Sequence, residues 1–166
     1  FAGIINLVPY EHNEMPSTIG GRIGSFNTHD WYASNAFNIG NANVSFAVNY
    51  SRSDDDSNRI VHSDLQSIFD GIFSTSASLA PGVIDDHYEV ISLLTDWTFE
   101  DISIDLYSWR NFDVGLGGGV AQALDQTGEA TSSYDRLKVT YDFSDKINGS
   151  LQASFVYKDV KGTSNL

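Results

Sequence analysis

The sequence predicts an all-β fold: an antiparallel up-and-down meander that is part of a transmembrane β-barrel, with a short helix in one long extracellular loop. Two observations predict it. Segments of eight to twelve residues alternate apolar and polar side chains, most clearly at Asn43–Ser51. The connections between segments run short, long, short, long, short. Membrane barrels show this pattern because their turns are tight on one side and their loops are large on the other.

Seven strands are predicted along the chain. They are Thr18–Phe26, Asp30–Ile39, Asn43–Ser51, His87–Phe99, Ile102–Trp109, Tyr134–Phe143 and Leu151–Lys158. Tight turns are predicted at Gly40–Ala42, Glu100–Asp101 and Ser144–Gly149, and long loops at Arg52–Asp86 and Asn111–Ser132. Gly20, Gly21 and Gly24 lie in the first strand, where glycine allows tight curvature or close approach of another group.

A short helix is predicted inside the first long loop. Ser63–Asp64–Leu65–Gln66 fits a capping box. Apolar residues then recur at helical spacing, at Leu65, Ile68, Phe69 and Ile72.

The last hairpin carries an apolar stripe on one face and charges of both signs on the other. The polar side has Arg136, Lys138, Thr140, Asp142, Gln152, Ser154 and Lys158. In a soluble sandwich such a face meets water, whereas in a barrel it lines the lumen and the stripe meets lipid. Aromatic residues near strand ends fit interfacial girdles, although each alone also fits a half-buried sheet residue: Tyr50, Trp97, Phe99, Trp109 and Phe143.

Composition narrows the possible functions. The chain has 166 residues, the size of one domain, and a formal net charge of -13 with a pI near 4.3. This balance argues against a nucleic-acid partner, which requires a basic surface. The absence of cysteine excludes disulfides, thiolate metal sites and thiol catalysis. The sequence contains no run of about 18 apolar residues, so it predicts no transmembrane helix.

No motif predicts an enzyme, a cofactor or a metal site. The glycines at 115, 117, 118 and 119 lack the spacing of a nucleotide-binding loop. Asp54–Asp56 lacks the EF-hand pattern, and Asp85–His87 is more typical of a strand-entry turn than of a cation site. The four histidines are scattered, at His12, His29, His62 and His87. No nucleophile elbow occurs, and the sequence identifies no ligand-binding residue.

Several segments, in their order, resemble TonB-dependent outer-membrane receptors. FAGIINLV at the start is similar to the closing strand of their plug domain. GGRIGSFNTHDWYASNAFNIGNANVSFAVNYSRSDDD resembles the entry into their barrel, and NRIVHSDLQ, SASLAPG and LYSWRNFDVGLGGGVAQALD resemble the loops and strands that follow. The resemblance covers essentially the whole chain, but such receptors are several times longer.

The resemblance implies a fragment of an active transporter. Residues 1–17 would be the end of the plug and its linker, and residues 18–166 the first seven or so strands of the barrel. The implied location is the outer membrane of a Gram-negative bacterium, in contact with lipid. The implied partners are the TonB-ExbB-ExbD energy-coupling complex and a scarce extracellular ligand, such as a ferric siderophore, haem, cobalamin or a glycan, which the long loops would help to capture.

Two other interpretations remain open. The chain could be a small complete outer-membrane barrel with a structural or adhesive role, with Phe1–Val8 as an eighth strand. It could instead be a soluble carbohydrate-binding β-sandwich, in which Trp31, Trp97 and Trp109 would stack on sugars.

Overall fold

The computed structural model describes residues 15–118, 122–144 and 149–165, which are mostly antiparallel β-structure. The elements in chain order are β1 (Thr18–Ile23), β2 (His29–Ile39), β3 (Ala42–Ser53), β4 (Ile60–Val61), α1 (Leu65–Phe73), β5 (Gly82–Val83), β6 (Tyr88–Phe99), β7 (Ile102–Gly115), β8 (Glu129–Asp142) and β9 (Gln152–Asn165). The predicted plug strand Phe1–Val8 lies outside the described residues, as does most of the predicted turn Ser144–Gly149.

The seven long strands form one antiparallel sheet in the order β1-β2-β3-β6-β7-β8-β9. Each predicted strand is therefore confirmed, and successive long strands are neighbours, as in a meander. The only other sheet in the described ranges pairs β4 with β5. The large sheet is not closed, because β1 and β9 each have a single neighbour within these ranges.

The second long loop is shorter than the sequence predicts. β7 runs to Gly115 and β8 starts at Glu129, so the loop covers 116–128 instead of Asn111–Ser132. A register shift between Asn111 and Val114 lets pairing continue past the polar residues that looked like a loop. Trp109 consequently lies in mid-strand, and its predicted place near a strand end is wrong.

The register gives the sheet one apolar and one polar face. A single cross-strand row on the apolar face joins Phe37, Val44, Trp97, Ile104, Val139 and Phe155. The adjacent row, on the polar face, joins Asn38, Asn43, Thr98, Ser103, Thr140 and Ser154. Side chains of successive residues point to opposite faces of a strand, so these two rows define the chemistry of the two faces.

No second layer covers the apolar face among the described residues. Only two apolar side chains there are buried, Val44 at 3% exposure and Leu124 at 4%. Large side chains of the apolar face stay accessible, with Trp97 47% and Phe155 64% exposed. A sheet of a water-soluble domain would bury its apolar face instead.

Two glycines of β1 let aromatic side chains of β2 lie against the edge strand. Gly20 pairs with Tyr32 and Gly21 with Trp31. A Cβ atom on either glycine would collide with the facing ring, coming within 2.9 Å of Tyr32 Cε2 and 2.5 Å of Trp31 Cε3. The close approach that these glycines allow is made by aromatic side chains and not by another backbone, and it places one ring on each face of the sheet.

The one α-helix among the described residues is short and lies in the first long loop, as predicted. No helix within the described residues is long and apolar enough to cross a membrane.

A candidate binding cap at the long-loop end

The two long connections meet at one end of the sheet. We call their described residues, 54–87, 116–118 and 122–128, the long-loop cap. Leu124 N–H donates to Asp64 Oδ2 at 2.7 Å, and Gln126 Nε2 donates to the Val83 carbonyl at 3.0 Å. These bonds join the two loops, so the cap is one connected structure and not two independent loops.

The N-cap of α1 is Asp64, one residue later than predicted. Its carboxylate accepts from the Ser67 amide at 2.6 Å, and Ser67 Oγ accepts in return from the Asp64 amide at 3.0 Å. The predicted pairing of Ser63 with Gln66 is therefore wrong. Aspartate is as good an N-cap as serine, and a serine at the third helical position completes the box in the role usually taken by glutamate or glutamine.

Asp64 also connects α1 to the rest of the cap. Besides the Ser67 amide, its carboxylate accepts from the hydroxyls of Ser67 and Ser78, at 2.6 and 2.8 Å, and from the Leu124 amide. These donors, the Leu124 amide above all, hold the pKa of Asp64 well below its usual range. The carboxylate therefore stays ionised and ties three segments of the cap together.

A second carboxylate closes the chain after α1. Asp70 accepts from Thr75 Oγ1 at 2.6 Å, from the Ser78 and Ala77 amides at 2.7 and 2.9 Å, and from Gln66 Nε2 at 3.0 Å. The Thr75 hydroxyl, the Ser78 amide and the Gln66 side chain are the main causes that lower the pKa of Asp70 to about 2. The segment after the helix is thus ordered around one side chain.

An apolar cleft of about 460 Å³ opens between α1 and the second loop. Its apolar walls include Val61, Leu65, Ile68, Ile84 and Leu124. The helix itself buries no residue, and Ile72 on its exposed side is 65% accessible. A cleft of this size can hold the apolar part of a small ligand.

The base of the first loop is held by an ion-paired histidine. His87 Nδ1 contacts Asp85 Oδ1, and His87 Nε2 lies 3.1 Å from Asp113 Oδ1 on β7. Burial alone would lower the pKa of His87, but the carboxylates of Asp113 and Asp85 outweigh it and raise the pKa above its ordinary value of 6.5. Arg52, Asp54, Asp55 and Glu89 line the adjoining cavity of about 240 Å³.

The aspartates considered as cation ligands have structural partners instead. Asp54 accepts from Asn27 Nδ2 at 3.0 Å and Asp56 from the Asn58 amide at 3.0 Å. Asp86 lies 3.2 Å from Arg59 Nη1. Within the described residues, no group of three or more histidine, aspartate or glutamate side chains is placed to hold a metal ion.

The scattered histidines and glycines do not form a site. His12 and Gly119 lie outside the described residues. His29 contacts Asn27 Oδ1 at 2.8 Å, and His62 is an exposed loop residue. Gly115 is in β7, while Gly117 has a φ of +59° that favours glycine.

The three tryptophans do not share a platform. Trp31 and Trp97 lie on the apolar face, since both belong to rows that contain Val44 or Tyr50, whereas Trp109 pairs with Ser92 on the polar face. Any sugar stacking by Trp109 would therefore take place on the opposite face from Trp31 and Trp97. Of the aromatic residues predicted for an interfacial girdle, Tyr50 and Trp97 lie on the apolar face, whereas Trp109 lies on the polar face.

Sequence reasoning missed the residues that organise the cap. Asp64 could have been found, because an aspartate directly before an apolar helical repeat is a standard N-cap signal. Its bond to Leu124 spans 60 positions, and Asp113 is 26 positions from His87, so no local pattern reveals either contact.

Comparison of the chain with protein-family models, with curated proteins and with solved structures finds no match. The geometry of the sheet and of the long-loop cap therefore supplies the argument for function.

Replacing Asp64 with alanine should release the cap, because the helix cap and the bond to Leu124 are lost together. Limited proteolysis of the purified protein should then cut within residues 54–87 much faster than in the wild type. Ser63→Ala is the matched control and should leave the cleavage rate unchanged. Equal cleavage of the two variants would contradict the role assigned to Asp64.

The His87 ion pairs should make the stability of the protein depend on pH. Because the folded-state pKa of His87 is raised, its contribution is complete below 6.5 and is lost as the pH rises through the folded-state value. The melting temperature of the wild type relative to His87→Gln should therefore fall as the pH is raised above about 6.5. His62→Gln, at an exposed loop histidine, is the control and should show no such trend.

Proposed function

We propose that this chain is part of the barrel wall of a TonB-dependent receptor in the outer membrane of a Gram-negative bacterium. The observation that carries the proposal is the uncovered apolar face of the sheet, which is accessible and has no second layer among the described residues. Lipid is the environment in which such a face is stable, because the outward face of a membrane barrel is apolar and its inward face polar.

The length of the apolar stretches supports a membrane-spanning role. On β3 and β6 the apolar face carries no charge over nine residues, Ala42–Tyr50 and Ile91–Phe99. A tilted transmembrane strand needs about 9–11 residues. Charges then begin at the long-loop end of this face, at Arg52, Glu89, Arg110, Asp135 and Asp159.

The boundary between apolar and charged residues crosses the sheet obliquely. On β3 and β6 it lies beyond Tyr50 and Ile91, which share a row. On β8 it lies between Leu137 and Asp135, and on β9 between their partners Tyr157 and Asp159, which is four positions nearer the short turns. Strands of a barrel are tilted by about 35–45° to the membrane normal, so a level boundary in the bilayer cuts the strand rows at an angle.

Polar-face contacts fit the lining of a lumen. Ser45 Oγ donates to Asp96 Oδ2 at 3.3 Å, and Lys138 Nζ lies 3.9 Å from Asp105 Oδ2 in the same cross-strand row. Ionised side chains at the centre of a strand would be costly against lipid but are stable when they face one another and water inside a barrel.

In this proposal the two open sheet edges pair with further barrel strands of the whole receptor, since unpaired strand edges are not stable in lipid. Residues 1–17 are the end of the plug and its linker. The long-loop cap faces outside and takes part in capturing a scarce ligand: a ferric siderophore, haem, cobalamin or a glycan. The TonB-ExbB-ExbD complex supplies the energy for import.

The second candidate is a small complete barrel with a structural or adhesive role, which the uncovered apolar face of the sheet supports equally well. The carbohydrate-binding sandwich has less support, because the seven long strands belong to one sheet.

The intact mass of the outer-membrane protein that contains this sequence distinguishes the receptor from the small complete barrel. A mass several times 18.2 kDa supports the receptor, and a mass near 18.2 kDa the small barrel.

Arginine substitutions at neighbouring positions of β7 test the lipid contact. Ile104 lies on the apolar face and Ser103 on the polar face. In a bilayer Ile104→Arg should destabilise the protein by about 2–4 kcal/mol, depending on its depth, and reduce the folded amount in the outer membrane. Ser103→Arg is the control and should be tolerated. If both variants reach wild-type levels in the membrane fraction, the apolar face does not contact lipid.

A further inference from the structure

A trough on the polar face brings aromatic walls and unpaired polar groups together. Tyr32, Asn49, Ser92 and Trp109 lie in one cross-strand row on β2, β3, β6 and β7. The next row toward the short turns contains Ser34, Ala47, Leu94 and Tyr107 on the same four strands. We call these eight residues the aromatic trough. Seven of the eight, all but Trp109, line a cavity of about 230 Å³.

The shape of the trough follows from the register. Its outer strands, β2 and β7, carry the large rings of Tyr32, Tyr107 and Trp109, while the inner strands β3 and β6 carry mainly small side chains. Neighbouring strands are about 4.8 Å apart, so the backbones of β2 and β7 are roughly 14 Å apart. That spacing leaves room for a saturated six-membered ring between the aromatic walls.

The floor of the trough contains hydrogen-bonding groups that no other side chain uses. In the described part of the chain, the Asn49 amide and the Ser92 hydroxyl, which both line the cavity, form no hydrogen bond. Some other polar side chains of this face are paired, as Ser45 is with Asp96 and Thr140 is with Ser154. Partly buried polar groups normally find partners, so free groups that converge on one cavity point to a ligand.

The chemistry of the lining selects the class of ligand. The cavity is lined by aromatic, hydroxyl, amide and small aliphatic side chains and by no ionised one. A charged ligand would lose its hydration there without gaining an opposite charge. A sugar ring matches the lining, because its apolar face can stack on tyrosine or tryptophan while its hydroxyls bond to amide and hydroxyl groups.

We infer that the aromatic trough binds a neutral oligosaccharide. This inference rests on the proposed function, in which the polar face lines the lumen, and it narrows the four ligand classes to one. The ligand lies with a ring between Tyr32 and Tyr107, and its hydroxyls bond to Asn49 and Ser92.

Calorimetric titration of the whole protein, purified in detergent from the outer membrane, tests the inference. The probes are maltohexaose, cellohexaose and xylohexaose, with hexagalacturonate as the anionic comparison. We expect at least one neutral probe to bind and hexagalacturonate not to bind. Tyr107→Leu and Asn49→Leu should each weaken binding about tenfold, since one stacking or hydrogen-bonded contact is removed.

Two further variants keep the test specific. Tyr107→Phe retains the ring and should bind within about twofold of the wild type. Tyr157→Leu removes a tyrosine from the apolar face of β9 and should leave binding unchanged. Failure of all three neutral probes to bind, or wild-type binding by Tyr107→Leu and Asn49→Leu, would overturn the inference. Outer-membrane insertion does not depend on sugar binding, so either result leaves the barrel proposal to the arginine test.

Discussion

The interaction on which the structure depends is the continuous antiparallel hydrogen-bond ladder from β1 to β9. It holds seven strands in one layer without a buried apolar core in the described residues, where only Val44 and Leu124 are buried apolar side chains. A soluble sheet gains most of its stability from apolar burial. In this sheet the hydrogen-bond ladder fixes the shape, and no second layer among the described residues covers the apolar face. The proposed membrane location follows from that arrangement.

The cap shows how a long polar loop is ordered when no core is available. Two ionised carboxylates, Asp64 and Asp70, replace hydrophobic packing by accepting several backbone and hydroxyl donors each. Asp64 joins the helix to the second loop, and His87 joins the base of the first loop to β7. The cap can therefore keep the apolar residues of α1 accessible while its backbone stays in one conformation.

Alternation of side chains was sufficient to predict the seven strands, because the period of two is a local property. The register shift after Asn111 is not a local property, so the sequence predicts a shorter β7 that ends at Trp109. The cap was out of reach for another reason. The bond between Asp64 and Leu124 and the pair of His87 with Asp113 connect distant segments, which a single sequence does not relate to each other.

The central claim is that the apolar face touches lipid and the polar face does not. Its most direct test uses the tryptophans on opposite faces, in protein reconstituted into vesicles with brominated lipids. Two variants each retain a single tryptophan, Trp97 on the apolar face or Trp109 on the polar face, with the others replaced by phenylalanine. We expect strong quenching of Trp97 and little quenching of Trp109. Equal quenching, or quenching of neither residue, would contradict it.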